Sequence, residues 1–261
     1  MILWCDGGHG AAENMRRDAG LLAAAGCGAP PVLRVFRFAP PGITLGRAQD
    51  PARELDLDRC RAAGVPWAAR PTGGRAIFHD QEWTYSLAAA LDDPLWGGSL
   101  EQAYGAVSRL LAAALERLGV PVRLARGEAR GGLAPRAAGG AAPPCFASTA
   151  RHEIVLEGRK LVGSAQRRTA RALLQQGSIL LGPGHLRLLD FLALPEATRA
   201  KAREDLAIAS VDAGAWLVAD EPLARWADAL AAELPADTVR LGGDAGLGLL
   251  APAEPLRTSD G

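Results

Sequence analysis

The stretch that decides the fold is RPTGGRAIFHDQEWTYSLAAA, residues 70–90. It opens on a chain-breaking run, Pro71-Thr72-Gly73-Gly74, and continues through two strand-like segments at residues 76–78 and 83–89. These segments lie on either side of His79-Asp80-Gln81, and we predict that they pair with each other. Two consecutive glycines let the backbone approach a ligand closely and present N–H groups to an anion or a carbonyl. A tight turn between strands uses the same residue types, so the stretch predicts strands beside either a binding loop or a plain turn.

Hydrophobic periodicity on both sides of this stretch predicts a mixture of helices and strands. The best-defined element is a helix over residues 100–118, because Ser99 and Gln102 form a capping box at its start and Gly119 ends it. The other predicted helices cover residues 13–25, 197–209 and 221–234, and the other predicted strands cover residues 32–38, 43–46, 65–69, 152–156, 160–164 and 177–181. The segments 152–156 and 160–164 are predicted to form a hairpin that turns at residues 157–159. Because the strands cluster in the middle without strict alternation with helices, the sequence predicts an α+β domain with a mixed β-sheet flanked by helices.

The chain length favours one domain. At roughly 150 residues per domain, 261 residues allow one large domain or two small ones. No internal repeat divides the chain, so we expect a single domain over residues 1–241 and a loosely ordered Gly/Pro-rich tail over residues 242–261. Residues 127–144 differ from the rest, since 14 of these 18 residues are Gly, Ala or Pro. A loop of this length in a compact domain is typically functional or mobile, so a mobile insertion is predicted there.

The composition excludes several classes of protein. Lys and Arg number 29 and Asp and Glu number 29, so a nucleic-acid-binding surface built on bulk positive charge is excluded. No apolar stretch approaches the ~20 residues of a bilayer span, and residues 1–10 lack the basic start of a secretory signal. The four cysteines include no C-x-x-C pair, which argues against a zinc or redox site. We therefore expect a cytoplasmic protein with reduced thiols and no membrane partner.

Cys145 is the strongest candidate nucleophile. It follows Pro143-Pro144 at the end of the insertion and precedes the predicted hairpin that carries Lys160. A nearby cation lowers the pKa of a thiol from about 8.5 toward neutrality, and the thiolate is the reactive form. A desolvated lysine can also carry protons. The other three cysteines have no such context and are expected to behave as small hydrophobes.

Two further groups of polar residues carry weaker signals. His79 beside Asp80 is either an acid–base pair or a structural residue that lines a pocket, and the second interpretation is favoured. The remaining histidines are isolated and lack metal-ligand spacing, so no metal is expected. Arg167, Arg168 and Arg171 form the one local basic cluster, which is either a solvated face or a docking site for an acidic protein.

Five segments in a fixed order resemble the lipoate/octanoate transferase and ligase superfamily, whose catalytic domain is related to that of biotin protein ligase. They are Gly10-Ala-Ala-Glu-Asn14-Met15, Gly42-Ile-Thr-Leu-Gly46-Arg-Ala-Gln49, Arg70-Pro-Thr-Gly-Gly-Arg75-Ala-Ile-Phe-His79-Asp80 with Thr84-Tyr85-Ser86, Gly158-Arg-Lys160-Leu-Val-Gly163-Ser-Ala-Gln166, and Gln176-Gly177-Ser178. Cys145-Phe146 followed by Glu153-Ile154 is similar to the cysteine-dependent octanoyl-acyl carrier protein:protein N-octanoyltransferases. The resemblance implies the biotin/lipoate protein ligase catalytic-domain fold.

The resemblance also implies an acyltransferase activity and a set of site residues. In that group the residue matching Cys145 is the acyl-thioester nucleophile, and the lysine matching Lys160 assists it. The implied substrate-binding residues are Arg70, Thr72, Gly73, Gly74, Arg75, His79, Gly163, Ser164 and Ala165. The implied donor is octanoyl-acyl carrier protein, and the implied acceptor is a lysine of a lipoyl domain or of the glycine-cleavage H protein, with no cofactor and no nucleic acid. The low-complexity insertion and Gln176, which stands where a histidine is often found, depart from the family pattern.

Elementary chemistry agrees with an acyl-enzyme route. Exchange of one thioester for another is nearly isoenergetic, and aminolysis to an amide runs downhill, so covalent catalysis needs no ATP. Three alternatives stay open from the sequence: an ATP-dependent lipoate–protein ligase, an octanoyl amidotransferase between lipoyl-accepting proteins, and a non-catalytic module that binds acyl carrier.

Overall fold

A computed structural model describes residues 1–125 and 152–259 of the chain. The strands are β1 (Ile2–His9), β2 (Val32–Phe38), β3 (Gly42–Leu45), β4 (Trp67–Ala69), β5 (Ile77–His79), β6 (Glu82–Ala90), β7 (Arg123–Leu124), β8 (Ile154–Leu156), β9 (Arg159–Lys160), β10 (Val162–Arg168), β11 (Ala172–Leu180) and β12 (Val239–Gly242). The helices are α1 (Ala11–Gly26), α2 (Pro51–Glu54), α3 (Leu57–Ala62), α4 (Leu100–Arg117), α5 (Leu188–Phe191), α6 (Glu196–Ala209) and α7 (Leu223–Ala231), with 3₁₀ turns at Pro183–Arg187 and Gly243–Leu249.

The main sheet has six strands in the order β10-β11-β6-β2-β1-β12. β1 runs parallel to both of its neighbours, whereas the remaining pairs are antiparallel, so the sheet is mixed. The predicted α+β class with a mixed sheet and flanking helices is therefore confirmed. Among the described residues, the helices are too short or too polar to cross a bilayer.

Helices cover both faces of the main sheet because its central strands are apolar on both faces. Successive side chains of a strand point to opposite faces. Leu33 and Leu87 pack in the core on the side of α4 and α7, where the Trp83 and Trp226 rings stack at 5.2 Å. On the other face, Val32, Ala88 and Leu174 pack against Leu21 and Leu22 of α1. Strands buried on both faces carry hydrophobic residues at nearly every position.

A second sheet of three strands, in the order β4-β3-β5, packs beside α1. Its packing onto α1 is close, because a Cβ at Gly42 would lie 3.4 Å from the Cβ of Ala11 and 2.8 Å from the carbonyl oxygen of Pro66. Met15 of α1 and Ala68 of β4 belong to one buried cluster. The second sheet and the main sheet share no strand, and the space between them is the site described below.

Several predicted elements are confirmed. The predicted strand 32–38 has the bounds of β2, and α1 extends the predicted helix 13–25 by one or two residues at each end. The Ser99 hydroxyl accepts from Gln102 N and the Gln102 side chain accepts from Ser99 N, so the capping box of α4 is present. The predicted hairpin forms between β8 and β9, but Leu161 ends it, and residues 162–168 join the main sheet instead.

The predicted pairing of the strands on either side of residues 79–81 is wrong. β5 pairs with β3 in the second sheet, whereas β6 pairs with β2 and β11 in the main sheet. The chain changes sheets at Gln81, which has a φ of 53° and whose carbonyl oxygen accepts from the backbone N–H groups of Leu181 and Gly182. Because the Gln81 carbonyl is bonded to these two residues, β5 and β6 diverge into different sheets and do not form a hairpin.

Two edge-region strands have no counterpart in the sequence prediction. β1 contains Asp6, Gly7 and Gly8, which hide the apolar alternation of its first half. β12 is short and exposed, and it exists through parallel pairing with β1. Parallel pairing between the two ends of the chain leaves no local signal in either segment.

Residues 242–259, predicted to be a loosely ordered tail, make defined contacts with the rest of the chain. The indole N–H of Trp4 donates to Gly243 O at 2.7 Å. Ala251 N donates to Gly20 O at 3.2 Å, and Ala69 N donates to Arg257 O at 2.7 Å. This segment covers the fully buried Trp4, which gives a physical reason for its position. We propose that one domain extends to residue 259.

Replacing Gly246 with alanine tests this packing. A Cβ at Gly246 would lie 2.1 Å from the Trp4 ring, whereas a Cβ at Gly248 would meet no atom within 4 Å. We expect Gly246→Ala to lower the free energy of unfolding by roughly 1–3 kcal/mol through overpacking. Urea unfolding measures the change, and Gly248→Ala, which is expected to stay near the wild type, is the matched control. Equal stability of the two variants would show that the segment is detached from Trp4.

Candidate active site

A cavity opens between the main sheet, the second sheet and α1. The residues that line it are Met15, Phe38, Thr44, Arg70, Ile77, His79, Thr84, Lys160, Gly163, Ser164, Ala165, Gln176, Gly177 and Ser178. Six of the site residues predicted from the sequence are therefore together in one place. Apolar side chains, hydroxyl groups and buried charged groups meet there, which is typical of a small-molecule site.

Arg70 holds the loop that the sequence singles out. Its side chain is buried, and Nε and Nη2 donate to Gly73 O at 3.0 and 2.7 Å. Nη2 also donates to Arg75 O at 2.8 Å, and Nη1 reaches the Thr44 carbonyl and hydroxyl oxygens at 3.3 and 3.2 Å. Because these acceptors are protein oxygens, Arg70, which itself lines the cavity, fixes the shape of the loop next to it.

Thr72, Gly73, Gly74 and Arg75 do not line the cavity. The Thr72 hydroxyl donates to Gln176 Oε1 at 2.8 Å, so it contacts the wall from behind. Gly74 has a φ of +92°, and a Cβ at Gly46 would lie 2.0 Å from the Gly74 carbonyl oxygen. The strict need for glycine at residue 46 comes from this close approach, and a substrate-binding role of the loop stays a prediction.

His79 is held on three sides. Its Nε2 lies 2.7 Å from Thr44 Oγ1, its Nδ1 lies 2.7 Å from Glu82 Oε1, and its ring stacks on Phe38 at 3.8 Å. Since Arg70 donates to the Thr44 hydroxyl, that hydroxyl is oriented to donate to Nε2, which leaves the Nδ1 proton for Glu82. This chain of bonds orients the imidazole and gives a route along which a proton can move.

Glu82 is the carboxylate partner of His79, and the neighbouring Asp80 is not. Asp80 lies in an exposed ion pair with Arg187 at 3.1 Å. Glu82 Oε1 also accepts from the Thr84 and Ser178 hydroxyls at 2.8 Å each, while Oε2 is buried without a hydrogen-bond partner among the described residues. The sequence analysis missed Glu82, although an acidic residue at the start of an apolar strand is a usable signal.

Lys160 and Glu153 form a buried ion pair at the cavity. Lys160 Nζ lies 2.5 Å from Glu153 Oε1, and the two side chains are only 4% and 6% exposed. Removal of either partner would leave the other charge in a desolvated place. The pair therefore holds the Lys160 amine at the cavity wall, and the catalytic role that the sequence predicts for Lys160 stays a prediction.

Two phenols lie beside Ser164 of the cavity lining. The Tyr85 hydroxyl lies 2.7 Å from Ser164 Oγ and accepts from Gln175 Nε2 at 3.1 Å. Burial raises the pKa of Tyr85 to about 12 and also raises the pKa of Tyr104, which lies near Tyr85 and Glu153. Both phenols stay protonated at neutral pH and act as hydrogen-bond donors beside Ser164.

A buried charged network supports the cavity from the side of α1. Gln176 donates to Asp18 through a short hydrogen bond, and Arg34 Nη1 donates to Asp18 Oδ1 at 2.8 Å. Arg34 Nε donates to Asp6 Oδ2 at 2.7 Å, and its Nη2 donates to Asn14 Oδ1 at 2.6 Å. Arg34, Asp18 and Asp6 are almost fully buried. The sequence analysis missed these three residues, whose types in a helix and two strands suggest surface positions.

Cys145 and the insertion 127–144 lie outside the described residues. Within them, Cys60 is buried and its pKa is raised to about 11 by burial, and burial also raises the pKa of Cys5. These two thiols are protonated at neutral pH, which fits the inert role expected for them.

The fold and this cavity define a class of protein. Residues 10–216 match the family described as the lipoyl protein ligase A/B catalytic domain, and the chain belongs to that family. It is 40% identical over 172 residues to the octanoyltransferase LipM of Kyrpidia tusciae, a match that covers 66% of this chain and 62% of that protein. It is 39% identical over 192 residues to the octanoyltransferase LipM of Symbiobacterium thermophilum, a match that covers 72% of this chain and 68% of that protein. The chain thus spans less than two thirds of the length of the first of these relatives.

Solved structures show the same fold. A bi-partite lipoate protein ligase from Thermoplasma acidophilum aligns with a TM-score of 0.69 at 19% identity, covering 95% of this chain and 89% of that one. Lipoate-protein ligase A bound with ATP aligns with a TM-score of 0.68 at 20% identity, covering 95% and 91%. The fold that the resemblance implies is confirmed, and at these identities the likeness is one of fold.

Proposed function

We propose that the protein is a cytoplasmic octanoyltransferase that moves an octanoyl group from the thioester of an acyl carrier protein to a lysine of a lipoyl domain or of the glycine-cleavage H protein. The observation that carries the proposal is the buried Lys160–Glu153 pair on the wall of the same cavity as Arg70 and His79. Relatives that are 35–41% identical bear the name octanoyltransferase, which supports the same activity.

In the proposed mechanism the Cys145 thiolate attacks the carbonyl carbon of the donor thioester. The tetrahedral intermediate collapses with loss of the carrier thiolate, which takes a proton from the Lys160 ammonium. The octanoyl group is then a thioester of Cys145, and Lys160 is a neutral amine.

The second half-reaction restores the enzyme. The acceptor lysine amine attacks the acyl-enzyme carbonyl, Lys160 takes the proton that the amine loses, and the Cys145 thiolate leaves. The net reaction exchanges a carrier thioester and an amine for a carrier thiol and an amide, so no oxidant and no nucleotide is needed. The buried carboxylate of Glu153 holds the Lys160 amine in place during both proton transfers.

The cavity offers separate places for the acyl chain and for the reacting carbonyl. Met15, Phe38 and Ile77 supply the apolar wall for the chain. For the oxyanion, the sequence indicates backbone N–H groups near Gly73-Gly74 or near Gly163-Ser164 and favours the first of these segments. The cavity lining supports the segment of Gly163 and Ser164 instead, because it lines the same wall as Lys160.

Intact mass spectrometry tests the acyl-enzyme. The wild type mixed with octanoyl-acyl carrier protein, without acceptor and without nucleotide, is expected to gain one octanoyl adduct that hydroxylamine removes. Cys145→Ala should lose both the adduct and transfer to an apo-lipoyl domain, whereas Cys5→Ala, which removes a half-buried thiol outside the cavity lining, should keep both.

Three results would contradict the proposal. An adduct that persists in Cys145→Ala would exclude Cys145 as the nucleophile. Transfer that occurs only with ATP and a free acid would indicate a ligase. If octanoyl-H-protein, but not octanoyl-carrier, serves as donor, the enzyme is an amidotransferase.

A further inference from the structure

A groove of about 660 Å³ lies beside the cavity, on the surface between α1, the turn from β10 to β11, and the C-terminal segment. The residues that line it are Ala19, Leu22, Ala23, Gly26, Cys27, Arg47, Ala69, Arg167, Thr169, Ala170, Arg171, Pro252, Ala253, Glu254, Pro255, Leu256 and Arg257. None of these residues belongs to the lining of the cavity.

The groove concentrates positive charge, although the chain as a whole has no net charge. Its lining includes Arg47, Arg167, Arg171 and Arg257 but only one acidic residue, Glu254, whereas the whole chain has 29 basic and 29 acidic residues. Within the described residues, the groove arginines donate hydrogen bonds to backbone oxygens. Arg167 donates to Pro71 O at 3.4 Å, and Arg257 donates to Arg47 O and Gln49 O at 3.1 and 2.8 Å. Such bonds leave the positive charge of the guanidinium groups uncompensated.

The groove and the cavity are continuous along two elements. Met15 lines the cavity, and Ala19, one helical turn later on the same face of α1, lines the groove. Ala165 lines the cavity, and Arg167, two residues later on the same face of β10, lines the groove. A molecule seated in the groove therefore lies beside the cavity.

We propose that this groove docks the acidic face of the acyl carrier protein donor, a partner that rests on the function proposed above. Charge complementarity steers an acidic protein to the four arginines, and Leu22 and Leu256 give the groove an apolar floor. The acyl group of the donor is attached to a long, flexible prosthetic group, so the protein part of the donor can dock to one side of the cavity. The acceptor presents a shorter lysine side chain and has to approach the cavity itself.

Reversal of two groove charges tests the proposal. Arg47 and Arg171 are exposed, so Arg47→Glu/Arg171→Glu changes the charge of the groove by four units without opening the core. The matched control, Arg61→Glu/Lys201→Glu, makes the same change at exposed side chains on α3 and α6, where each loses only a weak surface pair. Thermal unfolding checks that both proteins are folded.

We expect the groove variant to raise KM for octanoyl-carrier at least tenfold and to flatten its dependence on salt, with kcat for the same donor within threefold. Transfer from octanoyl-pantetheine, an uncharged donor without a protein body, should change less than twofold, and the control variant should match the wild type with both donors. An unchanged KM for octanoyl-carrier, or a rise in KM for the acceptor domain alone, would overturn the docking proposal. If the wild type transfers from neither donor, the proposed function itself fails.

Discussion

Replacing Lys160 with methionine is expected to lower the single-turnover rate of octanoyl transfer by about 10²–10⁴-fold, because the leaving thiolate then loses its proton donor and the acceptor amine loses its base. The expected effect is larger than for any exposed cation, since Lys160 Nζ is buried at the cavity and fixed at 2.5 Å from Glu153. Quenched-flow transfer from octanoyl-carrier to apo-lipoyl domain measures the rate.

Loss of stability has to be separated from loss of proton transfer. Lys160→Met removes the cation that is bonded to the buried Glu153 carboxylate, and we expect this loss to cost about 3–5 kcal/mol. Lys160→Met/Glu153→Leu removes both charges and is expected to recover most of that free energy while it stays inactive. Lys201→Met, at a side chain 77% exposed on α6, is the control and should transfer at the wild-type rate. A double variant that is stable and keeps more than a tenth of the activity would exclude Lys160 as the proton carrier.

Replacing Arg34 with methionine is expected to lower the free energy of unfolding by about 3–5 kcal/mol, a large share of the total stability of a domain. Arg34 is fully buried and is bonded to both Asp6 and Asp18, so its loss removes a cation that two buried carboxylates share. Arg17 still reaches Asp6, so Asp18 bears the greater share of the cost. Urea unfolding followed by tryptophan fluorescence gives the measurement.

Arg16→Met is the matched control for Arg34→Met. Arg16 lies on the same helix as Asp18, but its side chain is 60% exposed and pairs only with Glu13 in the described structure. An exposed pair of this kind is worth up to about 1 kcal/mol. If the two arginine variants lose similar stability, the buried network does not stabilise the domain beyond an ordinary surface ion pair.

Local signals predicted the elements that local interactions form. The α4 helix carries its own start and stop residues, and β2 has five apolar residues among its seven, so their bounds follow from the sequence. The strands at β1 and β12 pair across the whole chain, and the turn at Gln81 depends on bonds from Leu181 and Gly182. Such contacts join residues far apart in sequence, and no periodicity in either partner encodes them.

The site residues that could be predicted from the sequence are those that lie in short, recognisable motifs. Arg70, His79 and Lys160 were predicted from short segments and line one cavity. The partners that orient them, Glu82 and Thr44, were missed because nothing in a strand sequence shows which buried polar groups will meet. Gly73 and Gly74 show the reverse case, since a conspicuous motif forms a loop behind the wall rather than the wall itself.

The cavity lies between two sheets that share no strand, and its width is therefore set by a packing interface. Thr44 and His79 come from the second sheet and Ser164 comes from the main sheet, while Lys160 is on β9, which pairs with β8 outside both sheets. The close approach of Gly42 to Ala11 fixes the distance between the second sheet and α1. A larger side chain at that contact would push the second sheet away from α1 without changing any residue of the cavity lining. For the proposed octanoyl transfer, we therefore expect substitutions at this contact to change which acyl-chain lengths the cavity accepts.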